Sequence, residues 1–350
     1  MNNITNIIVV VLILSVSSTS ISKNIYATDF HHVDIKTNDA TKTKLEEIKK
    51  IKIKSFISIL NKILAFEDLN YLIKKDQYQK YLDDFVQNII IENELITNDK
   101  YIADIKINFY KKDLIHFVRN NKLNYTDISS EPILILSSYN EEFITYGLSE
   151  KNIFYDIDKL DLKFNNNLLN IKMPDLNPND RFIISYKDII NNEIASLSKI
   201  AKKYNVNDIL IINIKKIQND ELQIKIDYYS SQSDKFLLVG VLNLFNVNEL
   251  HNYIVSYLSN WWKKNHLIDN SIINLVICTI NSDNYSDLIN IKDKINNLSQ
   301  FKSMKTMMIS YNNNIEKIEF YGDYSIFTES LILNKIEIRT NDKCMIRSMK

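Results

Sequence analysis

Residues 171–182, IKMPDLNPNDRF, hold two aspartates and two of the chain's three prolines. Paired carboxylates can bind a metal ion or exchange protons, so Asp175 and Asp180 are the first candidates for chemistry. A hydrolase would add a histidine that folding brings near them. The same residue types also suit a loop in which Pro174 ends a strand and an aspartate caps the next helix. The pattern alone leaves both alternatives open.

Several familiar catalytic motifs are absent from the sequence. Glycines occur only at positions 147, 240 and 322, so neither a dinucleotide fingerprint, a phosphate-binding P-loop nor a G-x-S-x-G elbow can be written. There is no H-E-x-x-H, and two cysteines 66 residues apart cannot form a four-thiolate zinc site. We therefore predict no cofactor.

Two neighbouring histidines, His31 and His32, lie between Asp29 and Asp34. Imidazole and carboxylate groups suit a transition metal, but adjacent side chains of an extended segment point apart. Because chain ends are commonly mobile, we expect a mobile tail here and no metal site.

The charge of the chain is balanced, with 43 basic and 43 acidic residues. No overall field draws the protein to phosphates, so we expect no nucleic-acid partner. Cys278 lies in an apolar run, which favours a small buried side chain. A disulfide with Cys344 stays open, because Cys344 falls beyond the last predicted strand and disulfide geometry is demanding.

The first residues contain an apolar run from Ile7 to Val16, then small polar residues and Ala27. This pattern predicts a signal peptide over residues 1–27 and a periplasmic or secreted protein. No Lys or Arg precedes Lys23, which is unusual for such a leader. The uncharged stretch from Ile4 to Ser22 leaves an uncleaved anchor as the alternative. After cleavage we expect no stable membrane span.

The fold class predicted is α+β with α/β character, in three modules. Residues 28–138 form the first, a small αββαβ module preceded by a longer helix over 44–64. Its second helix is expected at about 76–84, followed by a hairpin around TNDK. The buried strand EPILIL would complete it.

Residues 139–268 form the second module, a central α/β unit. One long helix, KDIINNEIASLSKIAKKYNV, precedes three consecutive strands, and VNELHNYIVSYLSNWWKKNHL closes the module as a helix. In that last helix Leu250, Ile254, Tyr257 and Trp261 form one stripe, so Trp261 is expected in the core. Trp262 is then the exposed candidate for an interaction.

Residues 269–350 form the third module, with the βαββαβ order of a ferredoxin-like fold. The usual strand order puts FKSMKTMMIS, its second strand, at the sheet edge. Lys302 and Lys305 on this strand discourage unspecific pairing. A partner that adds a strand there would give a binding function without catalytic residues.

Several stretches together carry a family resemblance: YLDDFVQNIIIENELITNDKYIADIKINFYKKDLIHFV, EPILIL, MPDLNPND, AKKYNVNDILI and FYGDYSIFTESLILNKIEI. The chain resembles the bacterial domain-of-unknown-function family 2066, secreted envelope proteins of proteobacteria. In that resemblance MPDLNPND stands where an apolar strand ends in Pro before an Asp-containing loop. We therefore expect Asp175 and Asp180 to solvate or cap this loop and its helix.

These observations predict a non-enzymatic periplasmic protein that binds other envelope proteins through exposed sheet edges and helices. A periplasmic hydrolase with a composite site around Asp175 and Asp180 is the first alternative. A secreted effector directed at a host is the second. The oligomeric state and the identity of the partners stay open.

Overall fold

The computed structural model describes residues 24–75, 77–155, 167–217, 221–310, 313–339 and 344–349. Within these ranges the protein has a mixed α+β fold with three sheets of three, six and five strands. The predicted multi-module α+β class is therefore confirmed. Most of the predicted leader, residues 1–23, lies outside the described residues.

The first sheet is antiparallel, in the order β1-β3-β2. Its strands are β1 (His31–Lys36), β2 (Val86–Ile96) and β3 (Lys100–Phe109). The helices of this module are α1 (Ala40–Ile63), α2 (Phe66–Lys75), α3 (Leu82–Phe85) and α4 (Lys111–Asn120). The hairpin and its alternation are confirmed, because the odd-numbered side chains of β3 from Tyr101 to Phe109 are buried.

One prediction for this module is wrong. The segment around His31 is no mobile tail, since β1 pairs with β3 along its whole length. The helix expected at about 76–84 is present as a 3₁₀ helix, Gln77–Tyr81, followed directly by α3. The helix α2 before it was not predicted, although acidic residues in its first turn and lysines in its last turn complement the helix dipole.

The central sheet has the order β5-β4-β7-β8-β9, and β6 also pairs with β4. Its strands are β4 (Ile133–Glu141), β5 (Ile144–Tyr146), β6 (Ile171–Lys172), β7 (Asp208–Lys216), β8 (Leu222–Ser230) and β9 (Lys235–Leu244). EPILIL is a buried strand as predicted, but β4 pairs with β7 and not with the first sheet. The apolar pattern of β4 predicts that the strand is buried, but it does not determine to which sheet the strand belongs.

Helices cover both faces of the central sheet. They are α5 (Pro178–Ile183), α6 (Tyr186–Ile190), α7 (Ile194–Tyr204) and α8 (Leu250–Asn265). The hydroxyl of Tyr229 contacts Ser198 of α7, whereas the neighbouring Tyr228 packs against Trp261 of α8. Successive strand residues face opposite sides, so α7 and α8 lie on opposite faces. The predicted single helix over 187–206 is two helices, broken where Asn192 has a positive φ of 54°.

The third sheet has the order β11-β12-β10-β14-β13. Its strands are β10 (Ile273–Asn281), β11 (Phe301–Met308), β12 (Asn313–Tyr321), β13 (Ile336–Arg339) and β14 (Cys344–Ser348), and its helices are α9 (Tyr285–Asn296) and α10 (Tyr324–Leu333). The ferredoxin-like order is present with one addition, because β14 inserts between β10 and β13. This insertion sets Cys344 beside Cys278, and the two form a disulfide with Cα atoms 4.5 Å apart.

Candidate functional site

The aspartate loop is anchored to α7 through Asp180. The Asp180 side chain is fully buried, and its carboxylate accepts hydrogen bonds from the Tyr204 hydroxyl at 2.8 and 2.9 Å and from Lys203 Nζ. Its backbone N–H donates to Asn177, the N-cap of α5. Asp180 therefore neither solvates nor caps the loop, and that expectation is wrong for it. Asn177 instead caps α5, a short helix that the sequence analysis did not predict ahead of the helix expected from residue 187.

Asp175 lies in the same loop and is exposed. Its carboxylate is 3.8 Å from Lys203 Nζ, and its backbone N–H donates to the Tyr204 hydroxyl at 2.7 Å. Burial raises the pKa of Tyr204 above its ordinary value, and the Asp180 carboxylate raises it further. Tyr204 thus stays protonated and joins the loop to the buried carboxylate. These contacts hold the loop in place and leave Asp180 no open oxygen facing solvent.

A cleft of about 490 Å³ lies between β1 and α1. His31 lines it, and the Nε2 atom of His31 is 3.2 Å from the hydroxyl oxygen of Ser55. Burial and the charge of Lys54 lower the pKa of His31, which favours the neutral ring. Ser55 is fully buried, so the hydroxyl faces the core and not a bound substrate.

The two neighbouring histidines point to opposite sides of β1. Whereas His31 contacts Ser55, His32 Nδ1 lies 2.8 Å from Asp104 on β3. Within the described ranges no group of three or more His, Cys, Asp or Glu side chains is arranged to hold a metal ion.

The expected exposed anchor, Trp262, is buried, and that prediction is wrong. Its indole N–H donates to the carbonyl of Ile128 at 2.8 Å, and its ring stacks on His266. The helix α8 packs against the segment around Ile128 as well as against the sheet, so its buried face is wider than the predicted stripe. Trp261 packs beside Tyr228 and is half-buried.

A polar cluster around Asp127 joins the first and third modules. The Asp127 carboxylate accepts from the Tyr26 hydroxyl at 2.9 Å, from Lys111 at 3.0 Å and from Ser299. Burial alone would raise the pKa of Asp127, but Lys111 and these hydrogen bonds hold it below its usual range. Tyr26 itself is buried. The predicted cleavage after Ala27 thus falls inside packed structure.

The strand with Lys302 and Lys305 lies at a sheet edge, as predicted. However, β11 pairs with β12 through two irregular steps, at residues 301–303 and 306–308. Lys302 also lies 3.5 Å from Glu319. Bulges and lysines are devices that protect an edge strand from unspecific pairing.

The edge strand β9 carries one charged side chain, Lys235, at its first position. Residues 236–248 contain no charged side chain. Four large apolar side chains along or just beyond β9 are at least half exposed: Leu237, Leu238, Val241 and Phe245. The sequence pattern predicts this strand but does not give its position at the sheet edge. The long run without charged residues was the available signal for that position. This β9 edge is the described surface best suited to pairing with another chain.

Comparison of the chain with protein-family models, with curated proteins and with solved structures finds no match. The resemblance to family 2066 therefore stays a prediction. Of the helices in the described ranges, none is both long and apolar enough to cross a membrane.

Proposed function

We propose that the protein is a non-enzymatic, exported envelope protein that binds a partner protein by strand addition at the β9 edge. One observation carries this proposal: β9 presents free backbone groups flanked by exposed apolar side chains, with no charge from residue 236 to 248. A long, apolar edge without protective charges is a template for pairing with another chain. In strand addition, backbone bonds supply affinity and alternate side chains supply specificity.

The other edges support this choice by contrast. Strand β1 carries Asp34 and Lys36, β2 carries Glu92 and Glu94, and β13 carries Glu337 and Arg339. Strand β5 has only three residues. The predicted edge β11 has its lysines and bulges, so we place strand addition at β9 instead.

A bulge defines which part of β9 is available. The register shifts between Ile226 and Asp227 of β8, and the Val239 carbonyl accepts a hydrogen bond from the Tyr257 hydroxyl at 2.9 Å. Gly240 permits this approach, because a Cβ atom there would lie 2.1 Å from the same hydroxyl. The segment after the bulge, 240–245, is the part that we propose pairs with the partner.

Two features support export. The apolar segment at the start of the chain has the composition of a leader, and Cys278 and Cys344 form a disulfide. Disulfides persist in the periplasm or outside the cell and are rare in the reducing cytosol.

Photocrosslinking in cells tests the binding function. A photoreactive residue replaces Phe245 beside the β9 edge or, as a control, Phe182 on α5, which are 76% and 92% exposed. We expect one discrete adduct from position 245 and none of the same mass from 182. Adding Val241→Lys should abolish the adduct, because the lysine interrupts the apolar row. Equal adducts from both positions, or an adduct that survives Val241→Lys, would refute the assignment.

A further inference from the structure

The central strand of the third sheet is apolar on both faces. Cys278 and Ile280 of β10 are fully buried beneath the helices. On the opposite side Ile273, Leu275 and Ile277 are 50%, 48% and 53% exposed. A strand with one solvent-exposed face normally alternates apolar and polar residues. A continuous apolar run is typical of a strand that is covered on both faces.

Both helices of this module lie on the other face. Lys292 of α9 pairs with Glu316, and Phe327 of α10 stacks on Phe320 with ring centroids 4.1 Å apart. Glu316 and Phe320 are four positions apart on β12 and thus share one side of the sheet. We call the opposite side, with Ile273, Leu275 and Ile277 at its centre, the open face.

The charges on the open face are mainly basic. Lys305 of β11 lies directly opposite Lys317 of β12, and Lys317 is opposite Ile277 of β10. Like charges directly across a sheet destabilise it unless an opposite charge joins them. Glu319 of β12, directly opposite Leu275, is such an acid and lies 4.0 Å from Lys317 and 3.5 Å from Lys302. Lysines still outnumber acids on this side of the stripe. On the far side, Arg339 and Arg347 share one acid, Glu337. The open face is therefore an apolar stripe with basic flanks.

We infer that the open face binds an amphipathic helix whose apolar stripe is flanked by acidic residues. Its apolar side chains would cover Ile273, Leu275 and Ile277. Its carboxylates would neutralise Lys305 and the lysine charge that Glu319 does not balance. The three side chains span four residue steps, about 14 Å at ~3.4 Å per residue. A helix rises ~5.4 Å per turn, so about three turns cover the stripe. This site belongs to another sheet than the β9 edge and does not depend on it.

The same residues argue against other occupants. Single-stranded nucleic acid stacks on exposed aromatic rings, and the central positions here are aliphatic. Tyr321 is the neighbouring aromatic, but the guanidinium of Arg119 already lies 4.0 Å from its ring centroid. A second copy of the chain would bring basic flanks against basic flanks.

A synthetic peptide tests this inference directly. The probe is a fluorescently labelled helical peptide of about 14 residues with a leucine stripe and glutamate flanks; its counterpart carries lysine in place of each glutamate. Titration of the full chain, followed by fluorescence anisotropy, should show about tenfold or greater preference for the acidic peptide, weakening with added salt.

Matched variants locate the bound peptide. Leu275 and Ile332 are both 48% exposed in the same module, but Ile332 lies on α10 at the covered side. Leu275→Asn should weaken binding of the acidic peptide about tenfold, because an apolar contact is lost, and Ile332→Asn should leave it unchanged. Lys305→Gln with Lys317→Gln should remove the preference for the acidic peptide.

Three outcomes would overturn the inference. One is equal binding of the two peptides, or equal effects of Leu275→Asn and Ile332→Asn. Another is a dimer in sedimentation that Leu275→Asn dissociates, which would identify a second copy as the occupant. The third is co-sedimentation with anionic phospholipid vesicles that depends on Leu275, which would identify a membrane surface.

Discussion

Replacing Asp180 with asparagine should destabilise the central module far more than the same change at Asp175. Asp180 is fully buried and bound by Lys203 and Tyr204, whereas the Asp175 side chain is 59% exposed with Lys203 at 3.8 Å. Removing one partner of a buried ion pair costs ~3–5 kcal/mol. Lys203 is 26% exposed and can be partly hydrated, and asparagine keeps one acceptor for Tyr204. We therefore expect a loss of about 2–3 kcal/mol for Asp180→Asn.

The matched change, Asp175→Asn, should alter the free energy of unfolding by less than about 0.5 kcal/mol, as for exposed ion pairs in general. Both tryptophans of the chain lie on α8 in the central module. Urea unfolding followed by tryptophan fluorescence thus reports on that module, with far-ultraviolet circular dichroism confirming that each variant is folded. Equal midpoints for Asp180→Asn and Asp175→Asn would show that Asp180 is not the anchor of the loop.

Three further predictions concern the rest of the chain. Cys344→Ala should destabilise the third module by up to about 4 kcal/mol, the chain-entropy value for a disulfide between residues 66 positions apart. Amide hydrogen exchange of this module measures the loss. A wild-type protein whose exchange does not change when reductant is added would contradict the prediction. A chain starting at Thr28 should be about 3 kcal/mol less stable in urea unfolding than one starting at Asn24, because it lacks the buried Tyr26. Terminal sequencing of protein from cells should therefore find a start at or before Asn24, and a start at Thr28 would contradict this. Burial lowers the pKa of Lys263 from 10.5 to about 8, so wild-type stability should rise between pH 8 and 10.5 relative to Lys263→Met. In this pH range Lys263 is protonated in the unfolded chain and deprotonated in the folded chain. A difference in unfolding free energy between wild type and Lys263→Met that does not change with pH would contradict the lowered pKa.

Local patterns predicted most of the elements. The alternation in β3 and the three consecutive strands β7, β8 and β9 follow from side-chain periodicity, because one or both faces of each strand are buried. The order of the third module could also be predicted for its first six strands and helices, from β10 to β13. The inserted β14 was not, since its residues CMIRS carry no clear alternation and its position depends on pairing with the distant β10.

The candidate sites were harder to predict than the elements. Asp180 and Trp262 are ordinary loop and helix residues in the sequence, and their burial comes from contacts with Tyr204 and Ile128 that lie far away along the chain. The edge position of β9 likewise depends on sheet order, which periodicity does not determine. The prediction that Lys305 lies on an edge strand is confirmed. The sequence does not show that Lys317 lies opposite it, because this depends on the register between β11 and β12.

Amide hydrogen exchange of β9 in the isolated, purified crosslinked complex tests the central claim most directly. Strand addition would place backbone hydrogen bonds on the free edge of 240–245, so amide protons there should exchange at least about tenfold more slowly than in the free chain. Residues of β5, at the opposite edge of the same sheet, provide the internal control. Slower exchange confined to 240–245 is the predicted result. Unchanged exchange in β9, or equal slowing in β5, would contradict binding by strand addition.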